Sequence, residues 1–397
     1  MSDVAWIVGS LKERDAALEL LDYDGEAEPR DEFGVGFLRD ALAEAFFPGI
    51  TTLQTRAKYF LFVPQMYRVI ENRRARKKST AAQIVELERE LLARLKASSD
   101  IAGVIGSRRW IVPQTPSSAI YWTGLRTWRI RSFSDPRPRY HRWLDSGGSR
   151  AHLGLSEEDA GERALWHEFI DGHDFLSNPN MGLTSGEADF LRTRILAIKD
   201  NPKRSLLKDL ATSGSQAGGD FLWEVPVVAD GAAALSGEAH DAHRLSAALH
   251  GAMLTYNYRC AQLREHAAWI EAWSARSERW WGEHPRSTWT SWDLETFWKR
   301  MLALPAGHQA VSVTRPFIEA WVSELRRTVG VMPAERDTAQ RAIERREKQV
   351  KRNRARLIGG PALRTWDGAV GVGADPMRFR WPQAARILRD LDSAAGR

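Results

Sequence analysis

The chain has 397 residues, 43% of them apolar, and a net charge of +6, which gives room for two or three domains with cores of their own and excludes a disordered chain. Its single cysteine, Cys260, excludes an internal disulfide, and no N-terminal stretch has the order of a secretory signal. The strongly apolar uncharged run at 59–67 is far short of the roughly 20 residues of a membrane helix, so the expected setting is a reducing cytoplasm, with no membrane partner.

The modest total conceals segregation. Residues 1–50 carry 4 basic and 12 acidic groups, 51–150 carry 20 and 7, 151–250 carry 8 and 16, 251–340 carry 11 and 10, and 341–397 carry 14 and 6. Solubility alone asks for no such blocks, so two basic belts between acidic stretches point to an anionic partner.

In chain order, the pattern predicts a helix over 11–21, a charged loop, and an amphipathic helix from Val35 to Phe47 ended by Pro48 and Gly49. From Tyr59 to Ile70 nearly every side of the next helix is apolar, which marks it as buried, with a kink expected at Pro64. The cluster Arg73, Arg74, Arg76, Lys77 and Lys78 suits a helix C-terminus. Ser79 and Thr80 are cap candidates for an amphipathic helix to Lys96, and a short strand is expected near 102–112.

Between Ser107 and Leu144 stand Arg108, Arg109, Arg126, Arg129, Arg131, Arg137, Arg139 and Arg142, interleaved with Trp110, Tyr121, Trp122, Trp128, Tyr140 and Trp143. Asp135 is the one acid among them. Arginine grips phosphate with two donors and rings stack on exposed bases, so the mixture suits nucleic acid. Rings at helical spacing also build cores, with arginine stems laid over them and the heads in water. Both readings stand at this point.

The acidic middle, 151–237, is rich in turns around a helix at Ser185–Ile198. Its segment WHEFIDGHD puts His167 and Asp171 four apart, half of a metal site, but no second ligand pair follows, and a solvated acidic face is the plainer account. Residues 221–228 read as an edge strand. The clearest helix runs from Asp241 to Trp273. Its apolar stripe from Leu245 to Ile270 takes in Cys260 as a buried thiol, and a polar file of His243, His250, Asn257 and Arg264 reads as its outer face. Eight of the 17 tryptophans fall between Trp269 and Trp321, mostly as helix-packing residues, with Trp280 and Trp281 read as an exposed ridge.

Beyond them, Arg341, Arg345, Lys348, Arg352 and Arg356 fall in one helical stripe opposite Ile343, Val350 and Leu357, a spacing that can track a phosphate backbone. The glycine-rich stretch 359–375 lacks the Lys-Ser/Thr of a P-loop and follows no strand. Arg380 and Trp381 precede a short amphipathic helix.

The segments LQTRAKYFLFVP, PSSAIYW, LRTWDG and FRW with ILRDL resemble an uncharacterised bacterial family spanning nearly the whole chain. The resemblance implies association with helicases and other DNA-handling proteins in anti-phage defence loci, and supplies no catalytic residue. It singles out Gln54, Thr55, Arg56, Lys58, Tyr59, Ser117, Tyr121, Trp122, Arg380 and Trp381 as motif positions; the family's TRARY is here TRAKY, so Lys58 keeps the charge and loses the fork.

The expectation is a mainly α, multi-helical fold with short β segments. Composition divides it into a helical domain over 1–150 with the basic aromatic segment, a loop-rich region over 151–237 and a Trp-rich helical domain over 238–397. The leading function is a DNA-associated (or RNA-associated), non-catalytic subunit of a defence assembly, needing no cofactor. Its candidate contacts are Arg56, Lys58, Arg108, Arg109, Tyr121, Trp122, Arg126, Arg129, Arg131, Arg345, Lys348, Arg352, Arg380 and Trp381. The competing readings are a scaffold docking a helicase or nuclease partner, and a nuclease holding Mg²⁺ on Glu168, Asp171 and Asp174.

Overall fold

The computed structural model describes residues 31–73, 78–147, 165–170, 175–200, 203–214 and 218–395; the expected helix over 11–21 lies outside them. Helices α1 (Gly36–Phe46), α2 (Tyr59–Asn72), α3 (Thr80–Leu95), α4 (Ser117–Ile120), α5 (Trp122–Thr127), α6 (Arg137–Asp145), α7 (Ser185–Leu196) and α8 (Leu206–Ser213) come first. They are followed by α9 (Pro226–Ala229), α10 (Ser236–Leu263), α11 (Ala267–Glu283), α12 (Arg286–Thr290), α13 (Leu294–Leu302), α14 (Gly307–Arg327), α15 (Asp337–Lys351), α16 (Pro361–Arg364) and α17 (Trp381–Ala395). The fold is mainly α: among the described residues, β pairing is confined to an isolated antiparallel bridge, Arg131–Trp166. Two compact units interleave in sequence: among the described residues one holds those of 46–221 and 380–395, the other those of 31–45 and 222–379. Of the boundaries suggested by composition, 237 falls at the second residue of α10 and 150 lies outside the described residues.

In the first unit α2 lies in the core, as a helix apolar on nearly every side must. Tyr59 to Pro64, Met66, Tyr67 and Ile70 are buried, and Pro64 is accommodated inside the helix. Aromatic neighbours surround it: Phe60 stacks on Trp128 at 3.9 Å and Tyr67 on Trp166 at 5.5 Å. The expected strand at 102–112 is instead a run of turns, fastened where Thr55 Oγ1 donates to Gly103 O (2.6 Å) and Ile105 N donates to Tyr59 Oη (2.9 Å). Helix α7 begins with a capping box, Thr184 and Glu187 satisfying each other's backbone N–H groups.

His141 lies within this unit, its Nε2 2.8 Å from the Tyr67 hydroxyl. Burial first, then the Arg137 charge, pushes its pKa down to about 4. Because the folded value lies below the unfolded value of about 6.5, the imidazole costs nothing above pH 6.5. Its stabilising neutral state is lost relative to the unfolded chain as pH falls from there towards 4. Thermal or urea melts should therefore lose about 2 kcal/mol between pH 7 and pH 5 on this account. A His141→Gln variant should show a flatter profile; an unchanged slope would refute the assignment.

In the second unit the predicted strand at 221–228 is a 3₁₀ turn, Leu222–Glu224, followed by α9. Pro226 opens that helix, where its fixed φ is suited and its missing N–H is no loss. The single helix expected over 241–273 is two: Glu265 takes a left-handed φ of +51°, and the His266 side chain accepts from Trp269 N to start α11. The Trp280 ridge is also corrected, since Trp280 is buried and donates to Ala247 O at 3.0 Å, while Trp281 is half-buried.

The polar file of α10 is not simply an outer face. Asn257 is wholly buried, donating to Val372 O (2.8 Å) and accepting from Val372 N (2.9 Å) and Trp366 Nε1 (3.3 Å). Arg264 donates to Arg364 O (2.9 Å). The file thus seats the glycine-rich stretch, whose backbone lies directly on tryptophan rings. A Cβ at Gly368 would stand 2.1 Å from Trp269, and one at Gly371, at φ +72°, 2.3 Å from Trp273. Gly371→Ala combines a disfavoured φ with overpacking and should cost about 3 kcal/mol in urea denaturation; a cost below about 1 kcal/mol would contradict this account.

Candidate nucleic-acid interface

Most predicted contacts have internal partners. The Tyr121 hydroxyl accepts from Thr55 N (2.9 Å) and Arg56 N (3.1 Å) and donates to Arg56 O (2.8 Å), locking the turn that precedes α2. Burial raises its pKa well above the usual phenol range, so it stays neutral. Trp122 is buried and donates to Asp135 O (3.2 Å). Arg131 is buried too, donating to Phe133 O and Asp135 O (2.7 and 3.0 Å) with its guanidinium 4.2 Å from the Trp122 ring centre. Burial and then the Arg126 charge weaken its hold on its proton. Arg126 donates to Ser132 O.

Lys58 holds both oxygens of Glu187 at 2.7 Å. Arg380 donates to Ile50 O (2.8 Å), and the buried Trp381 donates to Gly219 O (3.2 Å). Where the sequence suggested base stacking and phosphate contact, the structure thus has Tyr121, Trp122 and Trp381 buried and Lys58 and Arg131 engaged with internal partners. These groups make the core, because the rings around α2 had to be buried and their polar ends needed partners.

Arg56 is the most heavily bonded. Its guanidinium meets Asp390 (2.9 Å) and Asp100 (2.8 Å) and donates to Ala102 O (2.7 Å), while Asp390 also accepts from Ala57 N (2.8 Å). Burial works against its charge, but the bond to Asp100 and the charge of Asp390 outweigh it and raise its pKa. Asp100 is correspondingly held below its usual range by the Arg56 bond.

Beside this pair opens a cleft of about 580 Å³. One side comes from residues 101–110, including Ile101, Ser107, Arg108 and Trp110; the other comes from α17, including Arg386, Arg389, Asp390 and Ser393. Sequence reasoning found Arg56 and Arg108, and it missed Arg386 and Arg389. Their i, i+3 spacing in AARILRDL was the available signal. Arg109 and Arg129 are exposed without lining this cleft.

In the second unit Arg345 and Lys348 are exposed on α15, with Arg341 one turn before and Arg352 just after. Arg356 instead bonds Glu32 (3.1 Å), and Val350, expected on the apolar side, is exposed.

A family model described as a family of unknown function, DUF6361, matches residues 1–395. The chain belongs to that family. No curated protein and no solved structure matches it. In this DUF6361 member the motif positions are architectural. Gln54 donates to Gly49 O (3.1 Å), and Ser117 Oγ donates to the buried Glu88 (2.8 Å), alongside the residues described above.

Among the described residues no group of three or more His, Cys, Asp or Glu could hold a metal, and no helix is long and apolar enough to cross a membrane. Of the proposed Mg²⁺ ligands, Asp171 and Asp174 lie outside those residues and Glu168 stands in a turn; His167, of the half metal site, begins that turn and is not in a helix.

Proposed function

We propose that this protein is a non-catalytic nucleic-acid-binding subunit, working in the defence assembly that the family resemblance implies. The observation that supports the reading is the cleft of the first unit, where Arg56, Arg108, Arg386 and Arg389, from three distant stretches of sequence, line one opening. Guanidinium groups converging on one opening favour phosphate. Arg56 is held by the Asp100 and Asp390 carboxylates, so the positive charge of the lining comes from Arg108, Arg386 and Arg389. The exposed cations of α15 add a second basic face to the reading.

Gel-shift titration across a salt series tests it. Each phosphate contact made in the cleft steepens the slope of log K against log salt by roughly 0.7–0.9. Arg389→Ala should reduce that slope by about one contact. Absence of DNA and RNA binding even at low salt refutes the function. Cleavage of nucleic acid with added Mg²⁺ would refute its non-catalytic character.

A further inference from the structure

The two sides of the cleft differ in kind. On α17, Arg386, Arg389 and Ser393 stand at i, i+3 and i+7, a cationic and hydrogen-bonding side. Arg389 is exposed, and no hydrogen bond or ion pair holds its head among the described residues. The facing loop brings a ring and an alkyl side chain: Trp110, half-buried, and Ile101, 46% exposed. Lys96 Nζ stands 5.7 Å from the Trp110 ring centre but does not line the cleft. Trp110 itself adopts a left-handed φ of +53°, a conformation that costs a non-glycine residue energy and that surrounding structure must impose. Between the two sides the Arg56–Asp390 pair fixes α17 to the start of α2.

A charged side opposite an aromatic side is the chemistry of a nucleotide, with phosphate on one and base on the other. The volume sets the scale. About 580 Å³ belongs with sites for single small molecules, roughly 300–1,000 Å³, and has no room for a duplex, whose bases are in any case stacked and paired.

We infer that this cleft takes one unpaired nucleotide unit, its phosphate on Arg389 at the α17 side and its base on Trp110. The inference rests on the nucleic-acid reading and narrows it from backbone charge to an exposed base.

Fluorescence anisotropy on the full chain tests it, using a short labelled single strand, the same sequence as a blunt duplex, and thymidine monophosphate as competitor. The single strand is expected to bind at least about tenfold more tightly than the duplex. Trp110→Ala should abolish that preference and Trp110→Tyr, which restores a ring, should keep it, with melting curves confirming that both fold. Arg389→Ala should weaken single strand and duplex together. Displacement of the strand by the mononucleotide identifies a free nucleotide as the occupant; failure to displace it identifies a strand. Equal affinity for strand and duplex, unchanged by Trp110→Ala, overturns the inference and leaves the function standing. No binding of strand, duplex or mononucleotide overturns both.

Discussion

Replacing Arg56 by Met should destabilise the first unit by about 3–5 kcal/mol, the cost of removing one partner from a buried ion pair. Of its hydrogen-bond donors among the described residues Asp390 would keep Ala57 N alone, and the loop at 100–102 would lose both its carboxylate bond and the bond to Ala102 O. Burial already pushes the Asp390 carboxyl up, opposed chiefly by the Arg56 charge, so the variant should take up a proton there and become more stable towards acid than its loss at pH 7 implies. Arg56→Lys should recover only part of the loss, because an ammonium lacks the fork that reaches Asp100 and Asp390 together. Pairing Arg56→Met with Asp390→Leu should restore most of the stability, since the stranded charge goes with its partner. Urea denaturation of the three variants checks this; a loss under about 1 kcal/mol for Arg56→Met would show that the pair is idle.

Glu347→Leu should cost the second unit a similar 3–5 kcal/mol. Glu347 is wholly buried, and its two oxygens accept from Tyr256 Oη (2.8 Å), Arg356 N (2.9 Å) and Leu357 N (2.9 Å). Lys351 Nζ lies 3.6 Å away and also meets Glu32, which Arg356 reaches at 3.1 Å. Leucine would leave two backbone donors without their acceptor and Lys351 and Arg356 with one carboxylate between them. Glu347→Gln, which keeps acceptor capacity without the charge, should lose less. Because this network lies in the second unit and Arg56 in the first, hydrogen exchange resolved by peptide should localise each variant's loss of protection to its own unit. Equal loss in both units would refute that independence.

The helices were legible where one face met the core. The apolar periodicity and caps marked 36–46, 80–95 and 185–196 to within about two residues. What eluded the reading was partnership. A tryptophan beside an arginine looks alike whether the ring faces solvent or α2, so Trp122 and Arg131 read as a contact surface although each completes the other's burial. Pro226 demoted a strand that was a helix start, and Asn257 read as solvent-facing because nothing local announces that the backbone at Val372 will lie on it. The cleft was half legible: Arg56 and Arg108 stood within conspicuous basic stretches, whereas Arg386 and Arg389 looked like the solvent side of a short helix.

The interleaving of the units dictates an order of events during synthesis. Asp390 follows Arg56 by 334 residues, so at roughly 5–20 residues per second the ribosome delivers α17 roughly 20–70 s after α2. Throughout that interval a largely apolar helix lacks the carboxylate that pairs with Arg56 at its start. The second unit has its last piece, up to Phe379, before α17 emerges. The later-encoded unit can thus close first, while the first unit waits for α17.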